Sequence, residues 1–96
     1  MKCYFVYITT NPTRTVLYIG VTNSLASRMD EHRANRNHKL KFGGKYFCYN
    51  LIYYEEFQDI RNAISREKEL KKWRREKKEN LINIMNPEWN TIIVYY

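Results

Sequence analysis

Glu67 occupies a place in the sequence where an apolar side chain belongs. The segment Asp59–Trp73, DIRNAISREKELKKW, reads as a helix opened by Asp59, and Ile60, Ala63, Ile64 and Leu70 recur at the spacing of one buried face. With about 100° between successive residues, Glu67 falls near the middle of that stripe. A carboxylate turned toward a core is costly unless a cation or several donors accompany it. Glu67 therefore either leans out to solvent, pairs with an arginine, or serves as an oxygen ligand. A lone carboxylate is a sparse ligand set. It suits Mg2+ or Mn2+, which keep several waters and take further oxygens from a phosphate substrate. Arg28 and His32, four residues apart in TNSLASRMDEH, form a second pair of interest, because that spacing makes them neighbours on a helix surface. No Gly-rich phosphate loop, HExxH or GxSxG is present. What remains for chemistry is one inward glutamate, an Arg/His pair, tyrosines on strand-like segments and a basic surface.

The elements that must position these groups are legible in order. Cys3–Thr9 (CYFVYIT) is aromatic and β-branched, a strand; Thr10–Thr15 around Asn11-Pro12 is a turn; Val16–Thr22 (VLYIGVT) is a second strand, antiparallel to the first because the connection is short. Gly20, with no side chain to pack, marks a bulge or a close approach by ligand or backbone. Asn23 or Ser24 caps a helix to about Ala34 whose inner face carries Leu25, Met29 and His32, with Arg28 beside them. Asn35–Tyr46 reads as a polar, basic loop and Phe47–Phe57 as a third strand. Asp59–Met85 lacks Gly and Pro, but Arg74 and Lys78 interrupt its apolar stripe. Two helices are expected, broken near Trp73–Arg75, the second burying Leu81, Ile82 and Met85. Asn86-Pro87 ends it, and the tail EWNTIIVYY packs back or adds an edge strand. The expectation is an α+β fold in order ββαβαα: a small three-stranded antiparallel sheet flanked by helices, a single domain over residues 1–96.

Charge points to the partner. Seventeen Lys and Arg against 10 Asp and Glu give a net charge of +7, and 16% of residues are aromatic. Within Arg66–Glu79 eight basic residues face four acidic ones. Such a surface favours a polyanion, nucleic acid first, with Lys45, Lys71, Arg74 and Lys78 the candidate phosphate contacts. The plain alternative is a solvated face laced with i,i+4 pairs such as Glu67–Lys71. No run approaches membrane-spanning length, and no secretory leader is seen. Cys3 and Cys48 lack metal or redox spacing and read as reduced core residues of a cytoplasmic protein.

Phe5-Val6-Tyr7, a spacer, then Leu17-Tyr18-Ile19-Gly20-Val21-Thr22 resembles the paired motif of the GIY-YIG nuclease superfamily. Leu25, Arg28 and His32 resemble the pattern downstream of it, with the arginine ten residues beyond the YIG tyrosine. Lys45-Tyr46, LIYYEEF, REKELKKWRREKKENLI and NPEW resemble the later segments of the small single-domain branch, related to the amino-terminal domain of excinuclease C. The likeness covers about residues 4–90. It implies a metal-dependent DNA endonuclease with Tyr7 and Tyr18 on a catalytic face and Arg28 as the phosphate-binding cation. It also makes Glu67 the sole protein ligand of Mg2+ or Mn2+, and His32 a proton relay or phosphate contact. Asn90 resembles the asparagine that follows Pro-x-Tyr in excinuclease C. The chain departs from the pattern twice: FVY stands in place of GIY, and Val21 where some relatives carry a lysine after YIG. Lys45 or His32 would then take the lysine's part. The partner expected is DNA, with no membrane and no small-molecule cofactor, the protein acting as a monomer or weak homodimer. The alternative is a nucleic-acid-binding domain that keeps the nuclease fold with little or no cleavage.

Overall fold

The computed structural model describes residues 2–34 and 48–95. Strands β1 (Tyr4–Thr10) and β2 (Leu17–Thr22) are followed by α1 (Leu25–Ala34), β3 (Asn50–Phe57), α2 (Ile60–Lys72) and α3 (Arg75–Met85). The three strands form an antiparallel sheet in the order β2-β1-β3, so the fold is α+β, as the sequence implied.

Central β1 is buried from Val6 through Thr10 because both faces of the sheet are covered. Alternation along the strand sends Val6 and Ile8 to one face and Tyr7 to the other. The first face forms a core with Ile19, Tyr53, Ala63, Leu70 and Ile82 beneath α2 and α3. The second packs Tyr7 and Leu51 on Leu25 and Met29 of α1, with Tyr18, Ile92 and Val94 against them. Ser24 Oγ accepts the Ser27 amide at 3.3 Å and opens α1. Asp59 accepts the Arg61 amide at 2.8 Å and opens α2. Trp73 and Arg74, both extended, separate α2 from α3 at the expected break.

Register shifts in β3: Ile8 opposes Tyr53, but Thr9 opposes Leu51, so Ile52 is a bulged residue. The carbonyls beside the bulge bond to the chain beyond α3. Leu51 O accepts the Ile92 amide at 2.7 Å, and Ile52 O accepts Asn86 Nδ2 at 3.0 Å. The tail thus passes around the β3 edge and packs on the α1 face without becoming a strand. No helix among the described residues is long and apolar enough to cross a membrane.

Four local expectations are corrected. Strand β3 begins at Asn50, later than expected, and Phe47 lies outside the described residues; Cys48 lies before the strand, buried, with its thiol directed at Val16 O. Ile60 and Ile64 are 37% and 39% exposed, because the line of α2 that touches the sheet runs through Ala63 and Leu70 and leaves the isoleucines on one flank. Met85 is exposed at the end of α3, where Ile82 alone is fully buried. Cys3 is only half-buried, and neither it nor Cys48 is part of a disulfide. The expected loop Asn35–Tyr46 lies outside the described residues.

Candidate active site

Four of the sequence-nominated residues meet on the α1 face, carried there by the hairpin and one helix. In the hairpin register Tyr7 opposes Gly20 and Thr9 opposes Tyr18, which puts both tyrosine side chains on the same face. The Tyr7 ring lies directly over Gly20. A Cβ at that glycine would fall 2.5 Å from Tyr7 Cζ, far inside van der Waals contact. The close approach expected at Gly20 is therefore made by a side chain from the neighbouring strand.

Helix α1 supplies the other two. His32 is 1% exposed, and its Nε2 lies 3.0 Å from the Tyr7 hydroxyl. The His32 ring stands edge-on to both tyrosines, 5.6 Å from Tyr7 and 5.3 Å from Tyr18 between centroids. The tyrosine rings themselves are 6.4 Å apart. Arg28, one turn before His32, has a side chain 25% exposed, and its Nε is 3.6 Å from Glu31 Oε1. It lies close enough to Tyr7 to act on the phenol electrostatically.

Burial sorts the four into two layers. Tyr7 is fully buried, and burial pushes its phenol well above the usual tyrosine range; the adjacent Tyr18 pushes the same way, while Arg28 opposes both. Tyr7 stays neutral, and its hydroxyl shares a hydrogen bond with His32 Nε2. Tyr18 and Arg28 are partly open to solvent in front of this pair. The outer layer can touch a phosphate and the inner layer holds it in place. The fully buried Thr9, cross-strand from Tyr18, was not singled out by its sequence; a threonine in a strand carries no pattern that separates it from its neighbours.

Glu67 lies elsewhere. Its side chain is 19% exposed on α2, on the opposite face of the sheet, and its Oε2 is 3.3 Å from Lys71 Nζ. It turns inward as its spacing implied, and its partner is the lysine one turn on that the i,i+4 spacing also offered. Arg66 and Glu67 leave α2 on opposite flanks of the Ala63–Leu70 line. Since Arg66 reaches Glu55 of β3, the Glu67 flank is the one toward β2, the strand that carries Tyr18. Among the described residues no group of three or more His, Cys, Asp or Glu is placed to share an ion. An ion at Glu67 would have one protein carboxylate, and that donor set fits a hard divalent cation that keeps most of its waters.

The remaining candidates do not join the cluster. Asn90 sits in the turn after α3: its amide bonds to Asn86 Oδ1 at 3.1 Å, and its side chain reaches Glu88. Lys71, Arg74 and Lys78 belong to α2 and α3 and their junction. Lys45 lies outside the described residues. Val21 opposes Val6 and packs on the α2 side, so its side chain points away from Tyr18. His32 is the basic group that does stand beside Tyr18.

Residues 3–80 match the family model described as the GIY-YIG catalytic domain. The fold is also similar to the solution NMR structure of the UPF0213 protein BH0048 from Bacillus halodurans. That similarity has a TM-score of 0.56 at 25% sequence identity, over 93% of this chain and 92% of that one. No curated protein matches the sequence.

Proposed function

Since this chain belongs to the GIY-YIG family, a family of nuclease domains, we propose that it is a divalent-metal-dependent endonuclease that hydrolyses phosphodiester bonds in DNA. The observation that carries the reading is the two-layered cluster, with Tyr18 and Arg28 outward and Tyr7–His32 locked behind them. Hydrolysis of a phosphodiester needs an activated water in line with the bond to be broken, charge neutralisation on the non-bridging oxygens, and stabilisation of the departing oxygen. Tyr18 orients the water and takes its proton. Arg28 pairs with the non-bridging oxygens through its planar fork. His32 holds the ring pair in register and is the adjacent group able to accept a proton from Tyr18. Glu67 would hold Mg2+ or Mn2+, which when bound supplies positive charge to the leaving oxygen. Because β2 is an edge strand, groups from both faces of the sheet can reach a substrate laid across it.

The second reading, a binding domain that keeps the fold without cleavage, is favoured by one contact: Lys71 already neutralises Glu67. A panel of duplex, nicked, flapped and single-stranded DNA, with Mg2+, Mn2+ or EDTA, separates the two. Endonuclease function predicts metal-dependent cleavage that falls by about 100-fold or more in Arg28→Ala and Glu67→Ala, with folding retained. Binding without cleavage under every condition would select the second reading.

A further inference from the structure

Arg66 ties α2 to β3 by bonding two carboxylates at once. Its Nε and one terminal nitrogen bond to the two carboxylate oxygens of Glu55 on β3, both at 2.9 Å, and its other terminal nitrogen bonds to Glu69 at 2.9 Å. The Tyr53 hydroxyl donates to Glu55 Oε2 at 2.6 Å. The guanidinium also lies over Trp73, 5.1 Å from the ring centroid, where α2 ends. Glu55 and Arg66 are 20% and 23% exposed, which sets this fork apart from the more open pairs elsewhere on α2 and α3.

What such a fork does follows from how α2 sits. Its two fully buried side chains, Ala63 and Leu70, fall on one line, and contacts along one line fix the roll of the helix less sharply than its distance from the sheet. On the β2 flank the described contacts are non-directional apolar packing and a pair internal to the helix: Ile60 and Ile64 are more than a third exposed, and Glu67 pairs with Lys71. On the β3 flank the bidentate fork fixes both distance and angle. Glu67 is the next residue after Arg66, so whatever sets the roll sets its carboxylate. A roll of about 10° would displace a group about 6 Å from the helix axis by about 1 Å, enough to spoil a site that depends on placement.

We propose that Glu55 and Arg66 are a positioning pair: the fork holds α2 at the roll angle that presents the Glu67 carboxylate to a divalent cation at the β2 edge. This rests on the metal role proposed for Glu67. The test measures Mn2+ binding by electron paramagnetic resonance, independently of any cleavage, together with the Mg2+ concentration for half-maximal cleavage. Both are measured well below each variant's melting temperature, on wild type, Arg66→Met, Arg66→Lys, Tyr53→Phe and Glu67→Ala. Ile82→Val serves as a variant that weakens the core without touching the fork. We expect Arg66→Met to weaken Mn2+ binding and raise the Mg2+ requirement by about tenfold, the usual scale for groups that orient a ligand. Arg66→Lys should restore part of the loss, because it keeps the charge and loses the fork. Tyr53→Phe removes only the hydroxyl that braces Glu55; it should give a smaller shift in the same direction, and it keeps the proposal testable if Arg66→Met does not fold. Variants that lose stability while metal dependence stays within twofold of wild type would overturn the positioning role. So would an equal shift in Ile82→Val. Wild type that binds Mn2+ no better than Glu67→Ala would overturn the metal role itself, a distinct outcome.

Discussion

Gly20 faces Tyr7 across the hairpin, and the space a side chain would need there is filled by a fully buried phenol. That phenol cannot swing aside without breaking its bond to His32. Gly20→Ala should therefore destabilise the protein by about 1–3 kcal/mol, the usual range for overpacking a closed site. Urea unfolding measures it, and an unchanged midpoint would show that the ring is not held. The same contact ties two halves of the sequence motif together: the glycine of YIG is there for the tyrosine of the first half. The spacing of the motif showed which residues mattered. It could not show that Tyr7 is buried behind Tyr18, because exposure depends on where α1 lies.

Among the elements, α2 carries the most consequence, and the fork to β3 gives it a pH signature. Burial pushes the Glu55 carboxylate up, but the Arg66 fork and the Tyr53 hydroxyl outweigh burial and hold it below its ordinary 4.5. A carboxyl held low in the folded state stabilises the fold above its unfolded value, and the contribution disappears as pH falls through the folded value. Thermal unfolding should show stability declining as pH drops below about 4.5, with a shallower decline in Glu55→Gln. Identical slopes in both proteins would mean the fork contributes nothing to acid sensitivity. Strand β3 shows the limit of pattern reading at this scale. Its aromatic run was plain, but the bulge at Ile52, which frees two carbonyls for the tail, depends on pairing with β1.

At the scale of the molecule, the sheet separates two sets of residues that the sequence made look like one site. Tyr7, Tyr18, Arg28 and His32 lie on the α1 face, whereas Glu67 and the basic run of α2 and α3 lie on the other. A nucleic acid touching both must pass the edge of the sheet, and the phosphates far from Tyr18 should meet Arg74 and Lys78. Binding should weaken steeply with salt. Replacing Arg74 and Lys78 by glutamine should lower the slope of log affinity against log salt by up to about 0.9 per lost phosphate contact on duplex DNA. An unchanged slope would identify that surface as a solvated face.

Local rules were enough for much of this protein. Apolar alternation and periodicity placed six elements in their order, the break at Trp73–Arg74 followed from an interrupted stripe, and the inward turn of Glu67 followed from its spacing. These features are local, because they depend on residues within one or two turns of each other. Only the tertiary structure decided that Ile60 and Ile64 stay exposed and that Asn90 belongs to the turn after α3. It also put Tyr7 and His32, 25 residues apart, within 3.0 Å. Which flank of a helix meets the sheet, and which face of the sheet a strand residue shares with a distant helix, are set by packing between elements. The sequence holds that information only jointly, across the whole chain.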